Sequence, residues 1–250
     1  MKRMLRLVAP LAAYIALLGT THAQDAPAVA DSGDTSWMLT STVLVLLMTL
    51  PGLALFYGGW VRAMNVRSIL VQCFVVAALM SLIWVVFGYS LATGSGDNPF
   101  FGDFTKLGLG HMTADSLSGT IPESVWVTFQ MTFIIITPAL IVGAFAERMK
   151  FTAMLIFTSI WAILSYIPWW HMAWGGGLFK GWSVIDFAGG TVVHINAGIA
   201  GLVACIMVGK RHGFPGPSLI PHQVPFTMIG AALLWVGWFG FNAGSAAAAN

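Results

Sequence analysis

The stretch "DFAGGTVVHINAGIAGLVACIMVG", from Asp186 to Gly209, decides the fold class of this protein. It is apolar throughout, and after Asp186 no Asp, Glu, Lys or Arg occurs until Lys210. A helix that crosses the ~30 Å hydrocarbon core of a bilayer needs about 20 predominantly apolar residues. The stretch therefore predicts a membrane-spanning helix with two ionisable side chains, Asp186 at its start and His194 eight residues later.

The composition of the whole chain supports this interpretation. Charged residues make up 8% of the 250 residues and apolar residues 58%, whereas about 25% of a soluble domain is charged. The net charge of +2 is too small to indicate a nucleic-acid partner. Cys73 and Cys205 lie within apolar runs, so we interpret both as core residues and expect neither a disulfide nor a bound metal or cofactor.

Further apolar stretches surround the first one, and six in all lack Asp, Glu, Lys and Arg: 35–61, 68–96, 124–146, 151–179, 187–209 and 212–250. Each is long enough for one span, and helices are the default in lipid because they satisfy their own backbone hydrogen bonds. Pro51 and Gly52 fall inside the first stretch and predict a kink there. The sequence thus predicts an all-α polytopic membrane protein with six spans.

The loops predict the orientation. Basic residues follow spans 1, 3 and 5, whereas the other loops hold only Lys106 and Lys180. Because cytoplasmic loops carry the excess of Lys and Arg, we expect the odd loops in the cytoplasm and the start of span 1 outside.

The N-terminus supports the same orientation. A basic start, the apolar run Leu7–Leu18 and the small residues Thr21–Ala23 resemble a secretory signal peptide. We expect residues 1–23 to be removed, which leaves 24–34 as an external segment and 35–250 as the membrane domain. The alternative is an uncleaved additional helix.

Several polar and aromatic side chains are predicted to lie along one path. His194 would be about 12 Å deeper than Asp186 at 1.5 Å per residue, near the middle of the membrane. Four candidates for the same path lie near the outer ends of the other spans, Phe129, Trp174, Phe241 and Ser245. A fifth, Phe133, would lie about 15 Å deep at 1.5 Å per residue. An aromatic mouth attracts cations, and a neutral imidazole can donate or accept a hydrogen bond. This order of groups favours a solute that is a cation in water and neutral when deprotonated.

Each of these residues also has a structural interpretation. Asp186 can cap the start of a helix, and Trp174 can belong to the aromatic belt at the membrane surface. Phe129 and Phe133 can pack in the core, and His194 can bond to a neighbouring helix.

The same residues resemble the ammonium transporter family of the bacterial AmtB type. "DFAGGTVVHINAGIAGL" resembles the family signature, and "PGLALFYGG", "IVGAFAERMKF", "HMAWGGGL" and "GWFGFNAGSA" resemble further blocks in the family order. The resemblance implies a fold of eleven helices built on two inverted five-helix repeats. This chain would supply the first repeat and the sixth helix, so we expect it to be the N-terminal portion of a transporter, without the second pore histidine.

The resemblance also implies roles for single residues. Trp174, Phe129 and Ser245 would form an external ammonium site supported by Asp186; Phe133 and Phe241 would gate the pore, and His194 would line it. Ammonium would lose a proton and pass as ammonia, with methylammonium as an analogue. A homotrimer in the bacterial inner membrane, with a PII-type signal protein at its cytoplasmic face, is implied as well.

Three other functions stay open at this point. The first is an Rh-like or sensory member of the same superfamily that binds ammonium and signals. The second is a haem-binding redox membrane protein with His171 and His194 as axial ligands. The third is an interaction subunit without transport.

Overall fold

The computed structural model describes residues 29–216 and 219–250. In this part of the chain, six helices are long and apolar enough to cross a membrane. They are α1 (Ser32–Trp60), α2 (Ala63–Thr93), α3 (Glu123–Phe145), α4 (Phe151–Gly181), α5 (Gly190–Val208) and α6 (Val224–Ala243). The predicted all-α architecture with six spans is confirmed, whereas the predicted signal peptide at 1–23 lies outside the described residues.

Helix α3 is the centre of the bundle. In its most apolar window 78% of the residues are buried, against 28–39% in the other five helices. It packs against α1, α2 and α5. A helix enclosed in this way is apolar on all sides, and the only charged residue of α3 is Glu123 at its start.

Wide π-type turns interrupt several of the helices. In α1 such a turn spans Met48–Leu53, and Leu50 there is non-helical with φ −124° and ψ 92°, which confirms the predicted kink at Pro51. Two more lie at Gly190–Ile195 in α5 and Phe239–Ala243 in α6. Turns of this kind are frequent at functional sites, and these two carry His194 and Phe241.

Close packing on α1 fixes the position of α6. A Cβ atom at Gly230 would overlap the backbone nitrogen of Phe56 and crowd the carbonyl oxygen of Gly52. Small residues let membrane helices approach in this way. The approach holds α6, and with it Phe241, against the kinked helix.

The loop between α2 and α3 folds onto one end of the bundle. It contains a 3-10 turn at Leu107–Leu109 and a two-stranded hairpin, β1 (Leu117–Ser118) and β2 (Ile121–Pro122). Glu123 begins α3 and is buried. It accepts a hydrogen bond from the Tyr89 hydroxyl at 2.7 Å and lies 3.0 Å from Nε2 of His111. Because Asp186 lies at this end too, we call it the Asp186 end.

Glu147 joins three loops at the opposite end. Its Oε1 accepts from the backbone N–H of Arg62 at 2.8 Å and from the side-chain amide of Asn65 at 2.9 Å. Its Oε2 accepts from the guanidinium of Arg211, with Nε at 3.0 Å. Burial alone would raise the pKa of Glu147, but these donors lower the pKa to about 2. The loops that carry the basic residues therefore meet at one end, the Glu147 end.

The two cysteines differ in their surroundings. Cys73 is buried in α2, as predicted, but Cys205 is exposed, so the interpretation of Cys205 as a core residue was wrong. The physical reason is that a uniformly apolar helix does not indicate which of its faces is covered. Cys205 lies on the face of α5 that lines a cavity below His194.

Candidate functional site

A cavity of about 390 Å³ opens at the Asp186 end between α3, α4 and the start of α5. We call it the outer pocket. Five tryptophan and phenylalanine rings contribute to its wall, together with four polar side chains; its lining includes Trp126, Gln130, Phe133, Trp170, Trp174, Lys180, Asp186 and Ser245. A concavity that combines aromatic rings with a small number of polar groups is typical of a site for a small ligand.

Asp186 shapes the floor of this pocket through its hydrogen bonds. One carboxylate oxygen accepts from the N–H of Gly189 at 2.6 Å. The other accepts from the N–H groups of Thr191 at 2.8 Å and Val192 at 2.9 Å. These are donors that the first turn of a helix leaves unsatisfied, so Asp186 caps α5. Its backbone carbonyl in turn accepts from the Trp174 indole N–H at 2.6 Å, which positions that ring.

The chain can reach this cap because Gly189 adopts a left-handed conformation. Its φ is +94°, a value that residues with a Cβ rarely adopt. A side chain there would also meet Val193. The Gly189-Gly190 pair of the opening stretch therefore belongs to the turn that lets one carboxylate bind three backbone N–H groups.

A column of aromatic rings leads from the outer pocket into the membrane-spanning region. Trp174 packs edge-on against Phe133, with ring centroids 6.1 Å apart. Phe133 stacks on Phe241 at 4.3 Å, and Phe241 lies 5.8 Å from the His194 ring. Phe133 and Phe241 are both almost fully buried. The structure thus brings together, in the predicted order, the tryptophan, the phenyl pair and the imidazole.

His194 lies between this column and a second cavity. The ring stacks on Trp238 with centroids 5.9 Å apart. It also lines a cavity of about 520 Å³ that continues along α5 to Gly201 and Cys205, with Tyr57 on the opposite wall. The ring is exposed, and no hydrogen bond to the His194 side chain occurs among residues 29–216 and 219–250.

Two of the predicted mouth residues have different surroundings. Ser245 lines the outer pocket, and its hydroxyl donates to the carbonyl of Phe241 at 2.7 Å. Phe129 is fully buried and packs between Trp126 and Phe133, behind the wall rather than on it.

The wall residues that were not predicted include Trp126, Gln130 and Trp170. Trp126, Gln130 and Phe133 are spaced i, i+4 and i+7 on α3, which places them on one helix face. This spacing is visible in the sequence, but α3 is apolar on every side, so the spacing does not show which face meets a cavity. The Gln130 side-chain carbonyl accepts from the Trp170 indole N–H at 2.9 Å, which links α3 to α4.

His171 is held by the backbone and does not face the pocket. It is 1% exposed, with Nδ1 at 2.9 Å from the carbonyl oxygen of Ala92 and Nε2 at 3.1 Å from that of Asn98. Because both ring nitrogens are engaged, neither is available to coordinate a haem iron. The arrangement gives His171 a role in anchoring the loop after α2.

Comparisons with a family profile and with individual known proteins agree on one family. The sequence profile of the Ammonium Transporter Family matches residues 36–250. An ammonium transporter of Bacillus subtilis is 50% identical over 216 residues, which cover 86% of this chain and 52% of the relative. One from Mycobacterium tuberculosis (strain ATCC 25618 / H37Rv) is 45% identical over 248 residues, or 89% and 52% of the two chains.

Solved structures show the same relationship. Mep2 of Candida albicans matches with a TM-score of 0.79 and 33% identity, over 88% of this chain and 50% of that one. A structure described as a sensor Amt protein matches with a TM-score of 0.81 and 29% identity, over 87% and 56%. The chain therefore spans about half the length of the relatives that it matches.

Proposed function

This chain belongs to the ammonium transporter family, a family of transporters rather than enzymes, and from that premise we propose that its full-length protein carries ammonium across a membrane. Ammonium would enter the outer pocket, lose a proton and pass the phenyl pair as ammonia. The observation that supports this proposal most is the column from Trp174 through Phe133 and Phe241 to His194.

The chemistry of the column suits a solute that changes its charge. Indole and phenyl faces attract a cation electrostatically, so Trp174 and Trp126 favour ammonium at the mouth. The stacked pair Phe133 and Phe241 offers no hydrogen-bond acceptor to a cation stripped of water, which favours neutral ammonia beyond that point. The proton that is left behind crosses separately.

His194 then offers one hydrogen bond where the surroundings are otherwise apolar. An imidazole can accept from ammonia or donate to it without carrying a fixed charge. Polar groups at membrane depth are costly and are most often functional. The cavity below His194 continues the path towards the Glu147 end.

The same proposal includes the setting of the protein. The basic loops at the Glu147 end face the cytoplasm under the positive-inside rule, and the Asp186 end faces the periplasm. We place the protein in the bacterial inner membrane as a homotrimer, each subunit with its own path. A PII-type signal protein would bind at the Glu147 end.

The test is uptake of labelled methylammonium by cells that lack other ammonium transporters and express the full-length protein. We expect uptake that unlabelled ammonium inhibits. His194→Ala should insert and assemble normally but lose most of this uptake, whereas His212→Ala, in the loop after α5, should retain it.

Two results would contradict the proposal. Failure of His194→Ala to assemble would make His194 a structural residue. Ammonium binding by the purified parent protein without any uptake would instead favour the sensory alternative.

A further inference from the structure

The outer pocket contains a positive charge, which would repel the proposed substrate, ammonium. Lys180 lines the pocket and is exposed. It lies in the single helical turn Leu178–Gly181, which follows Trp174. Among the described residues no carboxylate lies within 4 Å of its Nζ, in contrast to Lys106, which pairs with Glu123. The charge of Lys180 therefore acts on the pocket without a direct counter-ion.

The neighbouring carboxylate does not cancel this charge. Among the described residues that line the pocket, Asp186 is the only acidic one. Both of its oxygens are bound by backbone N–H groups at the start of α5. The start of a helix has a positive partial charge of about half an elementary charge. The partial positive charge at the start of α5 thus offsets much of the negative potential that Asp186 would produce in the pocket.

We propose that Lys180 is a specificity-determining residue that lowers the affinity of the outer pocket for ammonium and its alkyl analogues. This inference rests on the proposed function, because it assumes that a cation enters at this pocket. Like charges repel, so an ammonium ion among the aromatic rings is less stable with Lys180 at the rim than without it. Water and salt screen the repulsion, since the rim is exposed.

The position of Lys180 predicts which kinetic constant it affects. It lies at the rim, outside the buried pair Phe133 and Phe241. Lys180 raises the free energy of the bound ammonium ion, so removing its charge should lower KM. At a separation on the order of 10 Å in water-like surroundings, removing one charge should lower KM about two- to four-fold. Reversing the charge should lower KM by the square of that factor.

The experiment measures methylammonium uptake by the full-length protein in proteoliposomes at low ionic strength, with the Asp186 end outward. We expect Lys180→Gln to lower KM about two- to four-fold and Lys180→Glu to lower it by the square of that factor. Lys180→Arg should match the parent because it keeps the charge. Lys210→Gln is the matched control, since it removes one exposed charge at the Glu147 end.

Ionic strength provides a second measurement. The difference between Lys180→Gln and the parent should shrink as salt is raised, because the Debye length falls from about 30 Å at 0.01 M to about 3 Å at 1 M. A KM that is the same in Lys180→Gln, Lys180→Glu and the parent at low salt would overturn the inference. So would a KM shift that salt does not reduce. Either result leaves the proposed function intact if the parent transports, whereas absence of parental uptake counts against the proposed function itself.

Discussion

At the scale of single residues, both oxygens of the Asp186 carboxylate are used by backbone N–H groups, and this decides how substitutions there should behave. Residue preferences at helix starts rate Asn about equal to Asp, so the sequence alone predicts that Asp186→Asn keeps the fold. The geometry predicts otherwise. Asparagine has one acceptor oxygen, and its amide would face at least one of these N–H donors.

We therefore expect Asp186→Asn to cost about 1–3 kcal/mol of stability, because a buried donor is left without an acceptor. Asp186→Ala should cost more, and both variants should transport poorly because the backbone carbonyl that accepts from the Trp174 indole is no longer held in place by the side-chain cap. Thermal unfolding of the purified full-length protein, beside methylammonium uptake, measures the two effects. Parental stability and full uptake in Asp186→Asn would show that neither the charge nor the second oxygen matters.

Phe133 is both a buried core residue and part of the proposed path of the substrate. As a gate alone it should tolerate truncation, but it is fully buried, so Phe133→Ala should cost about 3–5 kcal/mol as in a protein core. Phe133→Leu fills most of the volume and removes the ring face. We expect this variant to remain folded and to lose selectivity or rate in uptake.

Phe145 is the matched control for that experiment. It lies on the same helix, is equally buried and packs on Phe157 away from both cavities. Phe145→Leu should change stability about as much as Phe133→Leu and leave uptake unchanged. Equal losses of uptake in both variants would mean that Phe133 acts only through packing.

The sequence indicates some of the residues that the structure brings together here, for a physical reason. Isolated polar groups in apolar helices, such as His194, are conspicuous because lipid makes them costly. Wall residues such as Trp126 and Gln130 were missed because α3 is apolar on every side, and composition alone does not indicate which face meets a cavity. Cys205 was misread for the same reason on α5.

At the scale of helices and loops, Glu147 connects the segments after α1, α3 and α5. Its folded pKa of about 2 lies below the ordinary value of 4.5. Because the folded pKa is lower than the unfolded pKa, the ionised Glu147 carboxylate makes its full contribution to stability at pH values above the unfolded pKa. That contribution is lost as pH falls from about 4.5 towards 2.

We expect Glu147→Gln to lower stability by about 1–3 kcal/mol near pH 7, because hydrogen bonds to a charged acceptor are replaced by weaker ones. The difference from the parent should narrow as pH falls through that window. Asp115→Asn, which alters an exposed acid in the loop before α3, should stay within about 0.5 kcal/mol of the parent. A stability gap for Glu147→Gln that does not depend on pH would contradict this account.

Five of the six helices were predictable to within about five residues at each end, whereas the stretch 212–250 extends well beyond both ends of α6, Val224–Ala243, and the loops were not predictable. Lipid demands long apolar segments, so six uncharged stretches translate directly into six helices. The burial of Glu123 depends on contacts with residues that are distant in the chain, such as Tyr89. The local composition of a segment does not predict such contacts.

At the scale of the whole molecule, the orientation follows from which end carries the basic loops. A reporter active only outside the cytoplasm should work when fused within residues 97–122. It should be silent when fused beside Arg148 or Arg211, at the Glu147 end. The reverse pattern would place the outer pocket in the cytoplasm and remove the basis for calling it an entrance.

The central claim is that the substrate enters through the outer pocket, and cysteine accessibility tests it most directly. Ser245→Cys, in a full-length protein otherwise free of cysteine, places a thiol on the pocket wall. Ala114→Cys, in the exposed loop before α3, is the control. After treatment from outside with a charged, membrane-impermeant thiol reagent, we predict that Ser245→Cys loses methylammonium uptake and that ammonium slows its labelling. Ala114→Cys should be labelled and still transport. Complete labelling of Ser245→Cys with full uptake would contradict the account.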